Sequence, residues 1–498
     1  MSIYSFSTFG FDGSIINIEV DLRRGIPATD IVGLADNSVK ELRERMLSAI
    51  RNSGFEYPSE RVLISLSPAD LRKEGACFDL PVALAVLAEK DEKQTDTGVL
   101  VMGELELSGK ASPCRGVYAA LETAVENGIK YAIVPNGCDT AIPKGIHVEY
   151  VDNLREAYDA LVRIDEAESL GTGFEESATE EAKEMKVEFD DIPEDNLDTI
   201  EGHDELKYAM AVAVAGGHHI LVYGAPGCGK TLLLQHMPEL MPKLSFEESQ
   251  STTRIYSLAG LLSPKESYKT IRPFRMPHQT ASIEGMCGGG INCRPGEISL
   301  AHNGVLFLDE AAEFRTSVLQ MLRVPMESKH ITLARAGRST VYPANFQLAL
   351  AMNPCPCGNY GHPERVCLCS AKAVELYWRK VSGPLLDRIP IRFNCNEKGY
   401  KFPENFTLAI LRDCIATARK RQYERQGKLN QELSQEEAAK IKLDPNAKYL
   451  LELRHGISNS RNIYNILILA RTLEDMNTGY DVIPSTVMER AIELYGHI

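Results

Sequence analysis

The chain has no apolar run long enough to cross a bilayer. Its longest wholly apolar stretches, such as Val82-Ala83-Leu84-Ala85-Val86-Leu87-Ala88, fall far short of the ~18 residues a spanning helix requires. A basic leader ahead of an apolar core is also missing from the amino terminus, so the expectation is a cytoplasmic protein with no membrane partner. Positive charge is in deficit, with 54 Lys and Arg against 69 Asp and Glu and a formal net charge of −15. That deficit is local. Residues 165–198 hold fourteen carboxylates and two lysines, a net of −12, which leaves −3 for everything else and keeps nucleic acid open as a partner. Internal repeats are absent. The twelve cysteines, in a chain with no export signal, point to reduced thiols and metal ligation rather than a disulfide framework.

What the chain does have is a phosphate-binding pattern. The string Gly224-Ala225-Pro226-Gly227-Cys228-Gly229-Lys230-Thr231 fits G-x-x-x-x-G-K-[ST] and follows the apolar run His219-Ile220-Leu221-Val222-Tyr223. In such a loop the backbone N–H groups wrap the phosphates of ATP, Lys230 reaches the β and γ oxygens, and Thr231 offers its hydroxyl to Mg²⁺. About eighty residues later, the buried-strand run Gly304-Val305-Leu306-Phe307-Leu308 ends in Asp309 and Glu310. Asp309 can hold the Mg²⁺ shell and Glu310 can orient and deprotonate the attacking water. A third strand, Gln347–Met352, ends in Asn353, where a side chain sensing the γ-phosphate would sit.

Two arginines complete the set. Arg388, in Ser382-Gly383-Pro384-Leu385-Leu386-Asp387-Arg388-Ile389, is placed to act as a finger on a neighbouring subunit's ATP, and Arg461 opens a carboxy-terminal helix and is counted with the nucleotide-binding residues. These spacings resemble the AAA+ family, in its magnesium-chelatase and helicase-like branch. The segments Arg272-Pro273-Phe274-Arg275-Met276-Pro277-His278, Gly288-Gly289-Gly290, Arg294 to His302 and Met352-Asn353-Pro354-Cys355-Pro356-Cys357-Gly358 resemble the YifB/ComM proteins over nearly the whole chain. The resemblance implies a homo-hexameric, ATP-driven helicase that moves branch points in single-stranded or branched DNA during recombination and natural transformation. An AAA+ chaperone acting on a protein or metal-insertion complex, and a noncatalytic assembly scaffold, stay open as alternatives. The intact Glu310, Asn353 and Arg388 disfavour the scaffold.

The organisation expected is multidomain α/β. Residues 1–164 alternate strand-like and helical stretches, 165–198 read as an acidic solvated linker, 199–395 carry the nucleotide motifs on an α/β sheet, and 396–498 read as a helical lid. Within the first domain, Lys73 to Leu80, Gly103 to Lys110 and Gly128 to Pro135 resemble the proteolytic domain of Lon, which implies a ribosomal-S5-domain-2-like fold. Cys77 falls at the nucleophile's place and Tyr118 at the lysine base's. A tyrosine cannot replace an activating lysine, so the catalytic dyad is broken.

Three further segments call for a partner or a metal. Ile331 to Tyr342 predicts a β-hairpin turning at Ala336-Gly337, with Arg335 and Arg338 at its tip to grip DNA phosphates in a central pore. The insert from Arg272 to Arg294, with Arg275 and His278, is a second candidate pore loop. In the loop 354–370, Cys355, Cys357, Cys367 and Cys369 suggest a structural Zn²⁺ site with His362 as a reserve ligand, and free thiols as the alternative. Because that loop lies between Asn353 and Arg388, metal loss is expected to disturb hydrolysis more than nucleotide binding.

Overall fold

The computed structural model describes residues 2–33, 37–68, 76–91, 97–138, 141–170, 187–262, 268–290, 292–335, 338–361, 364–396, 406–455 and 460–496. The amino-terminal unit is built on a mixed seven-stranded sheet. Its order is Thr29–Val32, Arg61–Ser67, Ser14–Arg23, Ser2–Ser7, Gly98–Val101, Tyr131–Pro135 and His147–Val151. The first hairpin is antiparallel, with Ile3 opposite Ile18, while Ser2–Ser7 and Gly98–Val101 run parallel. Alternation along Arg61–Ser67 sends Val62, Ile64 and Leu66 into the core, the pattern of a strand with one buried face. The nearly all-apolar helix Asp79–Lys90 is buried along most of its length, as a helix apolar all round must be.

The central unit carries five parallel strands in the order Phe274–Arg275, Val305–Leu308, Gln347–Met352, Ile220–Tyr223 and Ile391–Asn394. Val305–Leu308, Gln347–Met352 and Ile220–Tyr223 are buried at every position, which is why they read as continuous apolar runs rather than alternating ones. All five share a direction, so the segments that follow Tyr223, Leu308 and Met352 emerge together at one edge of the sheet. The register sets Tyr223 beside Met352 and Leu308 beside Leu350.

The helices Leu408–Gln426, Pro445–His455, Ser460–Met476 and Ser485–Tyr495 form the carboxy-terminal helical unit. It packs on the helix Asp204–Gly216 in one apolar cluster with the central sheet. Buried Arg419 donates to the carbonyl of Val214 across this contact, and His218 bonds Gln431 (2.8 Å) and Thr472 (2.7 Å).

The acidic segment departs from the expected solvated linker at both ends. Helix Leu154–Ser169 continues into it, and near its far end Phe189 packs under the Arg412 guanidinium while Leu197 is fully buried. Apolar residues spaced among carboxylates tie those ends to the folded units. Residues 171–186 lie outside the described set.

The hairpin is formed by His330–Arg335 and Arg338–Pro343, with Arg335 opposite Arg338. The turn at Ala336-Gly337 lies outside the described residues. One face of the hairpin is not free. Tyr342 is 1% exposed and lies edge-on to Phe11, and the hydroxyl of Thr340 accepts from the amide of Phe11 at 2.9 Å. Tyr342 shares an apolar cluster with Phe6, Leu100 and Val117 of the amino-terminal unit. Gly10 is required at this junction, since a Cβ there would meet Thr340 at 2.0 Å. Arg254, 6% exposed, fixes the same boundary by donating to the carbonyls of Phe11 and Asp12 and pairing with Glu122 at 2.7 Å.

Candidate active site

The loop Gly224 to Thr231 leaves the end of strand Ile220–Tyr223 and enters the short helix Lys230–Gln235. Gly227 (φ +82°) and Gly229 (φ +74°) take left-handed conformations that L side chains rarely adopt, which is what lets the chain curl back on itself. Lys230 is buried. Its ammonium donates to the carbonyls of Gly224 (2.7 Å) and Ala225 (2.9 Å) and lies 3.4 Å from the Asn353 side-chain oxygen. A buried ammonium held mainly by its own loop's carbonyls, with the Cys228 sulfur 3.6 Å away, is a cation ready to exchange these partners for phosphate oxygens.

Thr231 and Asp309 meet although 78 residues separate them: the hydroxyl lies 3.1 and 3.0 Å from the two carboxylate oxygens. A hydroxyl and a carboxylate side by side at the mouth of a phosphate loop form the hard oxygen donor set that suits Mg²⁺. Next to them Glu310 is exposed and sits at φ +49°, a conformation costly for a side-chain-bearing residue and one that gathers at functional sites. Its amide donates to Asp309 at 2.9 Å. The structure therefore brings together Lys230, Thr231, Asp309, Glu310 and Asn353.

Arg388 and Arg461 are placed elsewhere. Both guanidiniums bond one oxygen of Glu327, Arg388 at 2.8 Å. Burial opposes its ionisation, but these two arginines hold the Glu327 carboxyl below its usual range. The three residues line a cavity of about 360 Å³ whose wall includes His219, Gly304 and Gln347, which mark the starts of the parallel strands. The phosphate loop is at the strands' other ends. Arg461 is thus not beside its own phosphate loop; its partner in the chain is the carboxylate that also holds Arg388.

Arg275, named among the candidate DNA contacts, is paired within the chain. Its guanidinium is bound in bidentate fashion by Glu297, at 2.7 and 2.8 Å, and is only partly exposed, so it would have to leave that carboxylate to bind phosphate. Arg272 is likewise held by Glu248, at 3.0 and 2.6 Å. The insert is anchored at its start rather than presented as a free loop. Arg335, by contrast, is exposed near the hairpin tip. The backbone position of Arg338 is opposite it.

In the amino-terminal unit, Cys77 is partly buried, with its thiol 4.0 Å from the carbonyl of Phe6, and Tyr118 is fully buried. Burial pushes the Tyr118 hydroxyl far above its ordinary range, which removes it as a base near neutrality.

Three neighbours of the nucleotide loop were not singled out by sequence reasoning. The side-chain oxygen of Asn396 accepts from the amide of Ala225 at 3.1 Å. The imidazole of His203 lies 3.3 Å from where a Cβ on Gly229 would stand. Cys395 hydrogen-bonds Cys228, which with Lys230 nearby pushes the Cys228 thiol down. None belongs to a contiguous motif, and only the fold places them.

Comparison with known proteins agrees with this architecture. Residues 196–401 match the family model described as magnesium chelatase, subunit ChlI; residues 18–137 match subunit ChlI of Mg-chelatase, and residues 407–494 match the subunit's carboxy-terminal model. The fold and site are those of a magnesium-chelatase-like AAA+ ATPase. Within that class, the chain is 35% identical over 503 residues to the uncharacterized protein YifB of Escherichia coli, covering 98% of this chain and 96% of that one. It is 36% identical over 495 residues to the competence protein ComM of Haemophilus influenzae, covering 95% and 93%. The chain belongs to the YifB/ComM family. A shorter similarity, 24% over 209 residues, covers 39% of this chain and 26% of the DNA replication licensing factor mcm7-B of Xenopus laevis.

Proposed function

We propose that the chain is an ATP-driven ring motor that moves branch points in DNA, a ComM-like hexameric helicase of recombination. The observation that carries this reading is the meeting of Thr231 and Asp309 beside Lys230, with Glu310 strained next to them. Thr231 and Asp309 would hold Mg²⁺, which when bound neutralises charge on the β and γ phosphates. Lys230 leaves the Gly224 and Ala225 carbonyls to bind phosphate, and Asn353 orients the γ end. Glu310 accepts the proton of the attacking water. Arg388, with Arg461 beside it, is supplied to the nucleotide of the neighbouring subunit, a role supported by their place at the sheet's opposite end. This trans arrangement is what makes the ring, as a homo-hexamer, the working unit.

Two observations favour DNA over a protein substrate. One is the exposed Arg335 on a hairpin, where guanidiniums repeated around a ring can bind phosphates of any sequence. The other is the similarity to a competence protein and, in part, to a replication licensing factor. We read the amino-terminal unit as ribosomal-S5-domain-2-like, a Lon-protease-like fold without its dyad that serves assembly. Residues 1–164, 199–395 and 396–498 then stand as three functional units. The test is strand displacement on a three-strand DNA junction. ATP-dependent displacement by the wild type, absent in Lys230→Ala, is expected; an ATPase that never displaces a strand overturns the reading.

A further inference from the structure

The loop after Asn353 gathers four thiols outside the nucleotide chemistry. The Sγ atoms of Cys355, Cys357, Cys367 and Cys369 all lie within 4.8 Å of one another. Three of the separations are 3.4 Å (Cys355–Cys357), 3.6 Å (Cys355–Cys367) and 3.6 Å (Cys357–Cys367). These are not disulfide lengths. Four sulfurs at Zn–S distances of about 2.3 Å around one tetrahedral ion are about 3.8 Å apart, close to what the loop already holds. The loop also supplies the amide donors that thiolate ligands use: the amide of Tyr360 lies 3.4 Å from the Cys355 sulfur, and Asn359 donates to Cys357. The short C-x-C spacing does not prevent both members of a pair from converging. His362, the reserve ligand, lies outside the described residues.

The same loop is bolted to the phosphate loop. Gly358 (φ +77°) lies so close to Pro226 that a Cβ would meet its ring carbons at 2.6 and 2.7 Å. Asn396 bridges the two loops, donating to the carbonyl of Tyr360 at 3.3 Å and accepting from the amide of Ala225 at 3.1 Å. The base of the loop is fixed by Trp378, whose indole N–H donates to the carbonyl of Pro354 at 3.0 Å and whose ring meets Tyr223 edge-on, one residue before the phosphate loop.

We propose that Cys355, Cys357, Cys367 and Cys369 bind one structural Zn²⁺, and that this metal-braced loop holds the phosphate loop in its nucleotide-binding shape. On binding, each thiol releases its proton to solvent and the ZnS₄ unit carries two negative charges, with no oxidant or reductant involved. A segment of this length cannot bury a core of its own, and the metal replaces one. Because the contact runs through Pro226 and Ala225, metal loss weakens nucleotide binding itself, and not chiefly hydrolysis as the position between Asn353 and Arg388 had suggested.

The test uses the full chain purified under reducing conditions without chelator. Elemental analysis is expected to give close to one zinc per chain, and Co²⁺ exchanged into the site should give the intense thiolate-to-metal charge-transfer bands of a tetrahedral sulfur site. Affinity for a fluorescent ATP analogue should fall at least tenfold when zinc is withdrawn by a strong chelator, and return on adding ZnCl₂. Cys355 is fully buried and its replacement risks misfolding, so the exposed Cys357→Ser is the informative ligand variant, expected to lose zinc while keeping its far-ultraviolet circular dichroism. Gly358→Val separates the two halves of the proposal: it should keep zinc and still lose nucleotide affinity. Protein that takes up no zinc, with four free thiols or two disulfides by mass spectrometry, overturns the site. A zinc-free chain or a Gly358→Val chain with unchanged nucleotide affinity overturns the brace. Neither readout involves DNA, so failure here is distinguishable from failure of the motor reading.

Discussion

Arg388 rests 2.8 Å from Glu327 of its own chain, at the end of the central sheet opposite its own phosphate loop. To serve a neighbour's nucleotide it must exchange this carboxylate for phosphate. Arg388→Ala is therefore expected to bind ATP normally and to hydrolyse it more slowly, by a factor that could approach the ~10³-fold or greater contribution of other arginine fingers. Mixing it with Lys230→Ala should restore part of the turnover, because each variant supplies what the other lacks. Full activity of Arg388→Ala alone rejects the finger.

Within the nucleotide site, binding and chemistry separate. Lys230→Ala should abolish binding of an ATP analogue. Glu310→Gln keeps the phosphate contacts and loses the proton acceptor, so it should accumulate as ATP-loaded rings with hydrolysis reduced at least ~10²-fold. Wild-type turnover in Glu310→Gln would remove that carboxylate from the reaction.

The exposed face of the hairpin gives a salt-dependence prediction. Replacing Arg335 and Arg338 with alanine should weaken binding to all DNA sequences alike, and flatten the dependence of log K on log salt by roughly 0.7–0.9 for each phosphate that is no longer neutralised. ATP binding should survive. An unchanged slope would place the DNA grip away from the hairpin; the anchored Arg272 and Arg275 could not take it over without losing their carboxylates.

Acid should destabilise the central unit and its contact with the helical unit. Burial pushes His218 down to about 4, His302 to about 4 and His219 to about 3, so these imidazoles stay neutral in the folded chain. Unfolded, they titrate near 6.5. Between those values the unfolded state holds the extra protons, so this contribution to stability is complete above about pH 6.5 and declines as pH falls toward 4. Urea midpoints measured from pH 7.5 down to 5 should drop, and His218→Gln should drop less steeply. Parallel profiles for the two proteins would show that His218 takes up no proton on unfolding.

Much of the architecture was legible because its signals are contiguous. The strand ending at Tyr223, the glycines after it, the hairpin around residues 336–337 and the carboxy-terminal helices each announce themselves within a dozen or so residues. The pairing of Thr231 with Asp309 was legible only because two such signals imply each other. What stayed hidden depends on distant partners. Nothing near Arg275 in the sequence announces Glu297, 22 residues on, as its partner, and nothing near Arg461 announces that the fold pairs it, beside Arg388, with Glu327. Asn396 and His203 carry no pattern of their own.

The seating of the hairpin on the amino-terminal sheet has a mechanical consequence. A two-stranded ribbon alone is marginally stable in water and would flex under load. Tied through Thr340 and Tyr342 to Phe11, the hairpin is anchored to a unit that holds none of the nucleotide residues, which on the proposed motor reading would bear any tension on the tip. If the chain works as that motor, the unit would act as ballast for the hairpin.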